Sequence, residues 1–534
     1  MTIKLGSLVT QYNQESIQEI TFIGAGIATA YSLLGLIEKL KQSNIKTPLK
    51  VTIIDKHPDF FKGIPYGDRS GNSVLLINAL NRFMPEPHRG KFVAWLNQNR
   101  DALLDDFRKN GGAKTEKWVS DNLSSILENQ WDTLYIPRYF YGKYISELLH
   151  NVISENEQRG VIKLSYVLDQ ADDITKSESI FTIITQVGIN IQSKLVVLSV
   201  GSLPTKRVFE QTPVIKDHNF LLINDLYEDS LPSRFKMIRD FLAKRKGQDT
   251  NVLVLGANAS SLETLYKFSD EEQLNQNVTN YTVLSSQGIM PDSEVDTEGQ
   301  KRFIPEHLKA LSDVKELTAE KIANAAYSDL SEARELGLGA ASTVNVISKH
   351  VGILLPRLSF SESKVFACEY GNSIGRMQRC AGAHYTNTLK ELSKTKRLRH
   401  IAGRFFALKP SEKGEAGLHL EYIARHSGKK SLDPMDFNIV VNCMGATDLK
   451  SNDTPLLLKN LISKNFITPN ASGIGLEVDS EFQGSENLFI IGPLLAGNVI
   501  DNKPLWHLEH CGRIIWSSNL MASSLAQRIY TAIA

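Results

Sequence analysis

The stretch Ile20–Ala30, ITFIGAGIATA, decides the fold. Its apolar run predicts a β-strand, Gly24-Ala25-Gly26 predicts a tight turn, and the residues that follow predict a helix. This layout binds dinucleotide pyrophosphates, because glycine lets phosphate approach the backbone and the helix N-terminus offers free N–H groups. The residues that we assign to the first cofactor site are Gly24, Ala25, Gly26, Ile27 and Ala28.

An acidic residue is expected at the end of the second strand, where it accepts hydrogen bonds from an adenosine ribose. The run VTIID ends at Asp55, and Lys56 follows it. We assign both residues to the same site. Thr29 departs from the pattern, because the third small position normally holds glycine or alanine for close packing of helix on strand.

The amino-acid composition limits the kinds of partner and location that we expect for the protein. Lys and Arg total 60 against 59 Asp and Glu, which gives no case for nucleic acid or an anionic membrane and leaves a small molecule as the expected partner. No apolar stretch approaches the ~20 residues that span a bilayer, and the first residues lack the apolar core of a secretory signal. We therefore expect no membrane span and a cytoplasmic location.

The cysteines argue against one kind of flavin chemistry. Cys368, Cys380, Cys443 and Cys511 are widely spaced, and no C-x-x-C pair exists. A redox dithiol of the disulfide-reductase type is therefore not expected.

The strand–turn–helix pattern occurs twice. Asn251–Leu255 predicts a second strand, the segment from Gly256 to Ser261 a second turn, and Leu262, Leu265 and Tyr266 an apolar helix face. Each copy is followed by a predicted hairpin and a buried strand that ends in glycine, at Gly201 and Gly445. Two such units predict two nucleotide sites. We assign the second, a nicotinamide site, to Gly256, Asn258, Ser260 and Ser261.

Longer motifs carry a family resemblance. The chain contains Gly63-Ile64-Pro65-Tyr66, Leu76-Ile77-Asn78, Met84, Phe92-Val93-Ala94-Trp95-Leu96 and Pro137-Arg138-Tyr139-Phe140-Tyr141-Gly142-Lys143-Tyr144. In this order they resemble the bacterial FAD/NAD(P)-binding proteins with two dinucleotide-binding domains. That family is related to the lysine and ornithine N-hydroxylases and, more distantly, to flavin-containing monooxygenases.

The resemblance implies an α/β fold with two Rossmann-like dinucleotide-binding domains, of the glutathione-reductase-like or flavin-monooxygenase-like kind, and a helical insertion. We place the first part of the FAD-binding domain at 15–235 and an NAD(P)-binding-like domain at 248–445, with a charged linker over Lys236–Thr250 between them. The helical insertion is expected at about 306–390, and residues 446–534 are expected to return to the FAD-binding domain.

The resemblance also implies FAD in the first site. Asn78, Arg82 and Met84 would lie near the isoalloxazine ring, where the Arg82 guanidinium could stabilise negative charge on the reduced flavin. The glycines that match the family's returning strand and C-terminal flavin loop are Gly201, Gly492 and Gly497. His507, close to that loop in sequence, is a candidate proton donor or substrate contact.

The second site departs from the family pattern. Asn258 stands where a second glycine is usual, and Ser285, Ser286 and Gln287 follow the next strand. Arginine is typical there for NADPH, and a carboxylate for NADH. Neither charge is present, so NADPH and NADH both remain candidate cofactors.

Three other patterns in the sequence are typical of different chemistry. Gly371-Asn372-Ser373-Ile374-Gly375, after a possible strand at VFACEY, fits the G-x-S-x-G elbow of hydrolases, with Asp436 and His507 as partners. His507, His510 and Cys511, on a helix expected from about Leu505, are metal-type ligands, but we predict no metal. Arg376 and Arg379 could hold a substrate carboxylate. Flavoprotein motifs cover both flanks of the elbow pattern and favour the flavin interpretation.

We therefore predict an FAD-dependent oxidoreductase, a NAD(P)H-dependent monooxygenase of the N-hydroxylase kind, acting on a small amine or an amino-acid-like molecule. Arg82 and His507 are the candidate catalytic residues. One alternative is an FAD-dependent dehydrogenase or oxidase with a degenerate nicotinamide site. Another is a flavin-binding interaction protein without turnover. The sequence indicates neither the substrate nor the oligomeric state.

Overall fold

The computed structural model describes residues 17–533 apart from 42–46, 210–213, 217–219 and 411–416. In chain order its strands are β1 (Gln18–Ile23), β2 (Leu49–Asp55), β3 (Ile162–Leu168), β4 (Ala171–Ser177), β5 (Ile180–Thr185), β6 (Asn190–Leu198), β7 (Val214–Lys216), β8 (Phe220–Ile223), β9 (Asn251–Leu255), β10 (Asn280–Ser285), β11 (Leu398–Pro410), β12 (Leu418–Ala424), β13 (Lys430–Leu432), β14 (Ile439–Asn442), β15 (Gln483–Ser485), β16 (Leu488–Ile490), β17 (Asn498–Ile500) and β18 (Lys503–Leu505).

The α-helices lie between and after these strands. They are α1 (Ile27–Leu40), α2 (Gly63–Tyr66), α3 (Leu80–Phe83), α4 (His88–Asn110), α5 (Ala113–Leu127), α6 (Arg138–Gln158), α7 (Leu231–Ala243), α8 (Ala259–Asp270), α9 (Glu272–Asn277), α10 (Thr297–Arg302), α11 (Glu306–Ala310), α12 (Ala319–Glu335), α13 (Ala340–Leu354), α14 (Phe360–Val365), α15 (Gly371–Met377), α16 (Ala383–Lys394), α17 (Leu456–Ser463) and α18 (Cys511–Ile533). None of these described helices is long and apolar enough to cross a bilayer.

Two sheets organise the chain. The first has the order β15-β16-β6-β1-β2-β3, with the antiparallel strands β5 and β4 attached through β6. The second has the order β13-β12-β11-β10-β9-β14-β8-β7. The central pairs of both sheets are parallel, and β1 and β9 are almost wholly buried, as expected for strands covered on both faces. The predicted pair of Rossmann-like units is confirmed.

The two units repeat one connection scheme. In the first, β1 leads through α1 to β2, and the chain returns later on β6 at the other side of β1. In the second, β9 leads through α8 to β10, and the chain returns on β14 at the other side of β9. Because parallel strands end at one edge, both glycine turns lie at the carboxyl edges of their sheets, where nucleotides bind in this kind of fold.

The segment between β10 and β11 is largely helical and contains α10 to α16. Part of it has its own apolar core, which includes Ile322, Ala326, Ile347 and Phe366, and Trp506 packs against this core from the C-terminal segment. The C-terminal segment itself returns to the first sheet, because β16 pairs with β6 and α18 packs along α1.

Several local predictions need correction. Residues 214–216 and 220–223, placed in the first domain, form β7 and β8 of the second sheet, and about half of the Lys236–Thr250 linker lies in α7. Residues 366–370, predicted as a strand, form a π-helical turn. The last helix begins at Cys511 rather than near Leu505, because residues 503–505 pair with β17 in a hairpin.

Candidate functional site

The first glycine turn joins β1 to α1. Gly24 has φ of +101°, and a Cβ atom there would lie 2.3 Å from the carbonyl oxygen of Ser199. Its N–H donates a 2.8 Å hydrogen bond to the Ile54 carbonyl, which fixes the turn to β2. Gly24 and Gly26 are both partly exposed, whereas the flanking strand and helix residues are buried. The turn is therefore an open cradle of backbone that only glycine can form at Gly24.

The N-terminus of α1 faces this cradle. Gly26 is the N-cap residue, and no side chain caps the first turn of the helix. The backbone N–H groups at Ile27 and Ala28 thus lack a side-chain acceptor and suit a pyrophosphate. The residues present fit the diphosphate of FAD.

Asp55 lies at the end of β2, as predicted, and closes the same turn. Its Oδ2 accepts a 2.7 Å hydrogen bond from the N–H of Ala25, and its Oδ1 accepts one of 2.9 Å from the N–H of His57. Lys56, the next residue, is exposed. The Asp55 carboxylate thus links the glycine turn to the segment after β2, beside the expected ribose.

The long family motifs pack beneath this turn. A Cβ atom on Gly63 would lie 3.4 Å from the Cα of Gly26, so the two glycine backbones approach each other closely. One turn further on, a Cβ on Gly142 would lie 1.9 Å from the Tyr66 carbonyl oxygen, and the rings of Tyr66 and Tyr141 meet edge to face at 4.9 Å. The motifs thus build the floor of the first site.

The C-terminal segment completes the site. Gly492 has φ of +81°, and a Cβ there would lie 3.5 Å from the Cβ of Ala28. Ser518 on α18 donates a 3.3 Å hydrogen bond to the Ala28 carbonyl. The loop that starts at Gly492 therefore lies against the start of α1.

Two other glycines assigned to FAD have different surroundings. Gly201 has φ of +80° with no atom within 4 Å of a Cβ, so it faces open space. A Cβ on Gly497 would lie 2.6 Å from the Asn470 Oδ1, and the Gly497 N–H donates to Leu505 in the β17–β18 hairpin. Close packing against Asn470 therefore explains why residue 497 is glycine. Its contact with the cofactor stays a prediction.

The residues expected near the isoalloxazine ring lie on and around α3. Met84 is buried, Asn78 partly buried and Arg82 exposed. The carbonyl oxygen of Arg82 accepts a 2.8 Å hydrogen bond from His510 Nε2, which ties α3 to the segment before α18. The structure thus brings the Arg82 region and the His507 region together.

His507 lies in that segment and is partly buried. Arg513 Nη1 donates a 2.9 Å hydrogen bond to its carbonyl oxygen, and its Nδ1 accepts one of 3.3 Å from the N–H of Glu509. Burial lowers the pKa of His507, although Glu509 opposes the change. The imidazole is therefore neutral at neutral pH and able to accept a proton.

Arginine side chains lie near His507 and near its neighbour Arg379, and Arg82 lies near Cys380, the residue after Arg379. We call Arg82, Arg376, Arg379 and Arg513 the arginine cluster. Arg379 and Arg513 both act electrostatically on His507, and Arg376 acts on Arg379. Within the described part of the chain, none of the four guanidinium groups has a carboxylate within 4.0 Å, and the nearby Glu509 bonds Ser202 at 3.0 Å. Desolvation by neighbouring groups lowers the pKa of Arg379 although the residue is exposed; the like charge of Arg376 adds to this effect, and Glu509 opposes it.

The second glycine turn repeats the first with one difference. Gly256 has φ of +108°, a Cβ there would lie 2.2 Å from the Cys443 carbonyl oxygen, and its N–H donates to Leu284 at 2.7 Å. At the start of α8, however, the Asn258 side chain accepts a 3.3 Å hydrogen bond from the Ser261 N–H. This helix therefore carries its own cap where α1 has none. Ser260 is partly exposed beside it.

The elbow and metal patterns have structural explanations. Ser373 is an exposed residue within α15 rather than in a strand-to-helix turn, and a Cβ on Gly371 would lie 2.5 Å from the Trp506 ring. His507 and His510 precede α18 and do not share a helix turn with Cys511. Elsewhere in the described ranges His307, Asp329 and Glu332 cluster, but both Asp329 oxygens already accept backbone N–H groups at the start of α11.

Comparison with known proteins agrees with this geometry. Residues 21–203 match a protein family described as FAD-NAD(P)-binding. The resemblance inferred from the motifs is confirmed, and the match supports FAD together with a nicotinamide dinucleotide as the cofactors.

Relatives extend over nearly the whole chain. The uncharacterized protein Rv3403c of Mycobacterium tuberculosis is 28% identical over 513 residues, 95% of each chain. Ornithine hydroxylase of Pseudomonas aeruginosa is 12% identical with a TM-score of 0.55, over 96% of this chain and 100% of that one. An ornithine N-hydroxylase of a Kutzneria species, solved with reduced FAD, NADP+ and L-ornithine, is 12% identical with a TM-score of 0.51, over the same shares. At these identities the solved structures show a common fold.

Proposed function

We propose that the protein is an FAD-dependent, NAD(P)H-dependent monooxygenase that oxygenates a small amine. The single observation that carries the proposal is the open, uncapped Gly24–Gly26 cradle beside Asp55, in a chain that contains a second nucleotide unit of the same design. The fold shared with the ornithine hydroxylases supports it. FAD held in this cradle would supply the two-electron chemistry by which NAD(P)H and O2 oxygenate an amine, with the second oxygen atom released as water.

The chain's own residues bind and position the reactants. The α1 N-terminus and Asp55 hold the diphosphate and ribose, and the loop from Gly492 covers the start of α1. Burial keeps His507 neutral at neutral pH, so it would offer a hydrogen bond to the substrate rather than donate a proton. Arg82 contributes a positive charge at the same end of the site.

The arginine cluster indicates which part of the substrate the protein recognises. Three members of the cluster are exposed and Arg513 is half-buried, and like charges brought together with no carboxylate within 4.0 Å among the described residues attract an anion. We therefore assign the cluster, with Arg379 and Arg376 at its centre, to a carboxylate on the amine substrate. An amino acid with a side-chain amine carries both the amine to be oxygenated and the carboxylate that the cluster would bind.

The test begins with the purified yellow protein in anaerobic buffer. NADPH or NADH should bleach the flavin absorbance, and air should restore it. With an added amine, mass spectrometry should detect product heavier by one oxygen atom. Reactions without the amine, without the nicotinamide and without oxygen are the controls. Reoxidation that yields only hydrogen peroxide with every amine tested would refute oxygen transfer.

Substrate recognition is tested with a matched pair, a basic amino acid and the diamine that lacks its carboxylate. The amino acid should have a KM about tenfold to a hundredfold lower, because one charge-assisted contact contributes about 1.5–3 kcal/mol. Arg379→Gln should remove that preference while leaving the KM of the diamine unchanged. An equal rise in KM for both substrates in Arg379→Gln would contradict carboxylate recognition by Arg379.

A second candidate function rests on Asn258. Its cap occupies the Ser261 N–H at the start of α8, which favours an FAD-dependent oxidase or dehydrogenase whose nicotinamide site has decayed. In that case neither NADPH nor NADH would bleach the flavin, whereas a reducing substrate would. A protein that binds FAD and responds to neither would be a flavin-binding interaction protein.

A further inference from the structure

Arg425 lies at the edge of the second sheet where β10 ends, although it is far from β10 in sequence. It follows β12 directly, and its backbone N–H donates a 3.0 Å hydrogen bond to the Ala402 carbonyl. Ala402 on β11 is paired with Ser285, the last residue of β10. The hairpin of β11 and β12 therefore anchors Arg425 beside the end of β10.

The Arg425 side chain then extends over the residues that follow β10. Its Nη1 donates to the Ser286 carbonyl at 3.0 Å and to the Gln287 Oε1 at 3.1 Å. A Cβ on Gly288 would lie 4.0 Å from the Arg425 Cδ. These contacts hold the guanidinium against the first residues after the strand.

The Arg425 guanidinium can also donate further hydrogen bonds. In the described ranges, both of its hydrogen bonds use Nη1, and no carboxylate lies within 4.0 Å of it. The buried carboxylate of the same hairpin, Glu421, is already paired with Lys409 at 2.7 Å and Lys430 at 2.9 Å. Arg425 therefore carries an uncompensated positive charge in an exposed position.

The end of β10 is where the adenosine ribose is expected in the second unit. In a doubly wound unit the residue after the second strand contacts the 2′ position, with a carboxylate for a free hydroxyl and arginine for a phosphate. Ser286 and Gln287 occupy that place and carry no charge. Arg425 supplies from the hairpin the charge that this segment lacks.

We propose that Arg425 binds the 2′-phosphate of NADPH and gives the second site its preference for NADPH over NADH. The inference rests on the proposed function only in requiring that the second site takes a nicotinamide dinucleotide. A phosphate dianion would bind the free N–H groups of the guanidinium, with Gln287 holding the side chain in place.

The test is isothermal titration of the oxidised, FAD-loaded full-length protein with NADP+, NAD+, 2′,5′-ADP and 5′-AMP. Wild type should bind NADP+ and 2′,5′-ADP at least tenfold more tightly than their counterparts without the 2′-phosphate. Arg425→Gln should weaken both phosphorylated ligands about tenfold or more and change NAD+ less than twofold. The matched control is Arg404→Gln. Arg404 is an exposed arginine of β11 that, among the described residues, also has no carboxylate within 4.0 Å, and its substitution should change none of these values.

The outcomes separate this inference from the proposed function. Arg425→Lys should retain part of the preference, and flavin content with far-UV circular dichroism verifies that each variant folds. Equal weakening of NADP+ and NAD+ in Arg425→Gln, or wild type that binds both equally or neither, would overturn the role of Arg425. These binding measurements need no substrate or oxygen, so absence of oxygenated product alone would refute the monooxygenase and leave this inference standing.

Discussion

Thr29 and Ser261 occupy equivalent positions in the two nucleotide units, and the hydroxyl of each donates a 2.6 Å hydrogen bond to the carbonyl oxygen of the glycine that opens its turn, Gly24 or Gly256. Thr29 also lies 2.5 Å from the Ser199 hydroxyl, which bonds Gly24 as well. Thr29 therefore takes the place of the usual glycine or alanine and hydrogen-bonds the turn instead. Ser199, on the returning strand, is its partner.

Thr29→Val should destabilise the protein without changing the shape of the site. The variant keeps the branched side chain but removes the donor to Gly24 and the contact with Ser199, both of which are buried or partly buried. A lost bond of this kind costs about 1–3 kcal/mol of unfolding free energy. Urea denaturation measures the change, and Thr29→Ser, which keeps the donor and removes only a buried methyl group, should lose about 0.8 kcal/mol, less than the valine variant. Equal stability of the valine and serine variants would contradict the hydrogen-bonding role.

Gly26→Ala should separate flavin binding from folding. A Cβ there meets nothing closer than the Gly63 Cα at 3.9 Å, and Gly26 has an ordinary φ of −88°, so alanine fits. The methyl group would nevertheless stand where the diphosphate approaches. We expect FAD affinity to fall at least tenfold, about 1.4 kcal/mol, in fluorescence titrations of the apoprotein, with little change in apoprotein stability. Unchanged FAD affinity would remove the diphosphate from this cradle.

Asn258→Asp should weaken nicotinamide binding through charge alone. Aspartate caps a helix as well as asparagine does, so the bond to Ser261 and the stability should be retained. Its negative charge would repel the pyrophosphate, and we expect the Kd of NADP+ to rise at least tenfold in calorimetry, about 1.4 kcal/mol. Gln276→Glu, on α9 beyond the far end of α8, adds the same charge as a control. A Kd that both variants leave unchanged would argue that no dinucleotide lies at Asn258.

Local sequence patterns predicted the parts of the fold that depend on neighbours in the chain. The Gly24 and Gly256 turns, their strands and their helices follow from backbone sterics and apolar periodicity, which short segments specify. Asp55 follows from the length of the first βαβ unit. The pairing of β16 beside β6 agrees with the expected return of the C-terminal segment to the first domain.

Features that depend on tertiary contacts could not be predicted in this way. Residues 506–510 look helical in isolation, but Trp506 packs on the Gly371 backbone and the β17–β18 hairpin delays the helix. The same contact explains why glycine stands at Gly371 in a hydrolase-like pattern. Arg425 reaches the end of β10 only because of how β12 pairs with β11, which no local pattern encodes.

Glu263→Ala should be strongly destabilising, because it would leave a buried guanidinium unpaired. Glu263 on α8 is almost fully buried and bonds Arg138 at the start of α6 at 2.9 Å, and the Tyr227 hydroxyl bonds the same carboxylate. Removing one partner of a buried pair costs about 3–5 kcal/mol. The double variant Arg138→Met with Glu263→Leu should lose less than Glu263→Ala in urea denaturation. Additive losses would show that the two side chains do not act as a pair.

His384 should make the stability depend on pH. Its ring lies among those of Tyr135, Tyr266 and Tyr385 at 5.4, 5.9 and 4.0 Å, and among the described residues its buried Nε2 has no hydrogen-bond partner. Burial lowers the pKa of His384 to about 3. The folded protein therefore keeps this ring neutral at pH values where the unfolded chain, with a histidine pKa of about 6.5, binds a proton.

The direction of the effect follows from that difference. Above pH 6.5 neither state is protonated and His384 has no influence, whereas below it the unfolded state gains a proton that the folded state lacks. The free energy of unfolding should fall as pH decreases from about 6.5 towards 3, by up to about 1.4 kcal/mol per pH unit. His384→Phe keeps an aromatic ring that cannot titrate. Urea denaturation at pH 7, 6 and 5 should therefore show this variant gaining about 1–2 kcal/mol on wild type by pH 5, and parallel curves would show that His384 is protonated in the folded state.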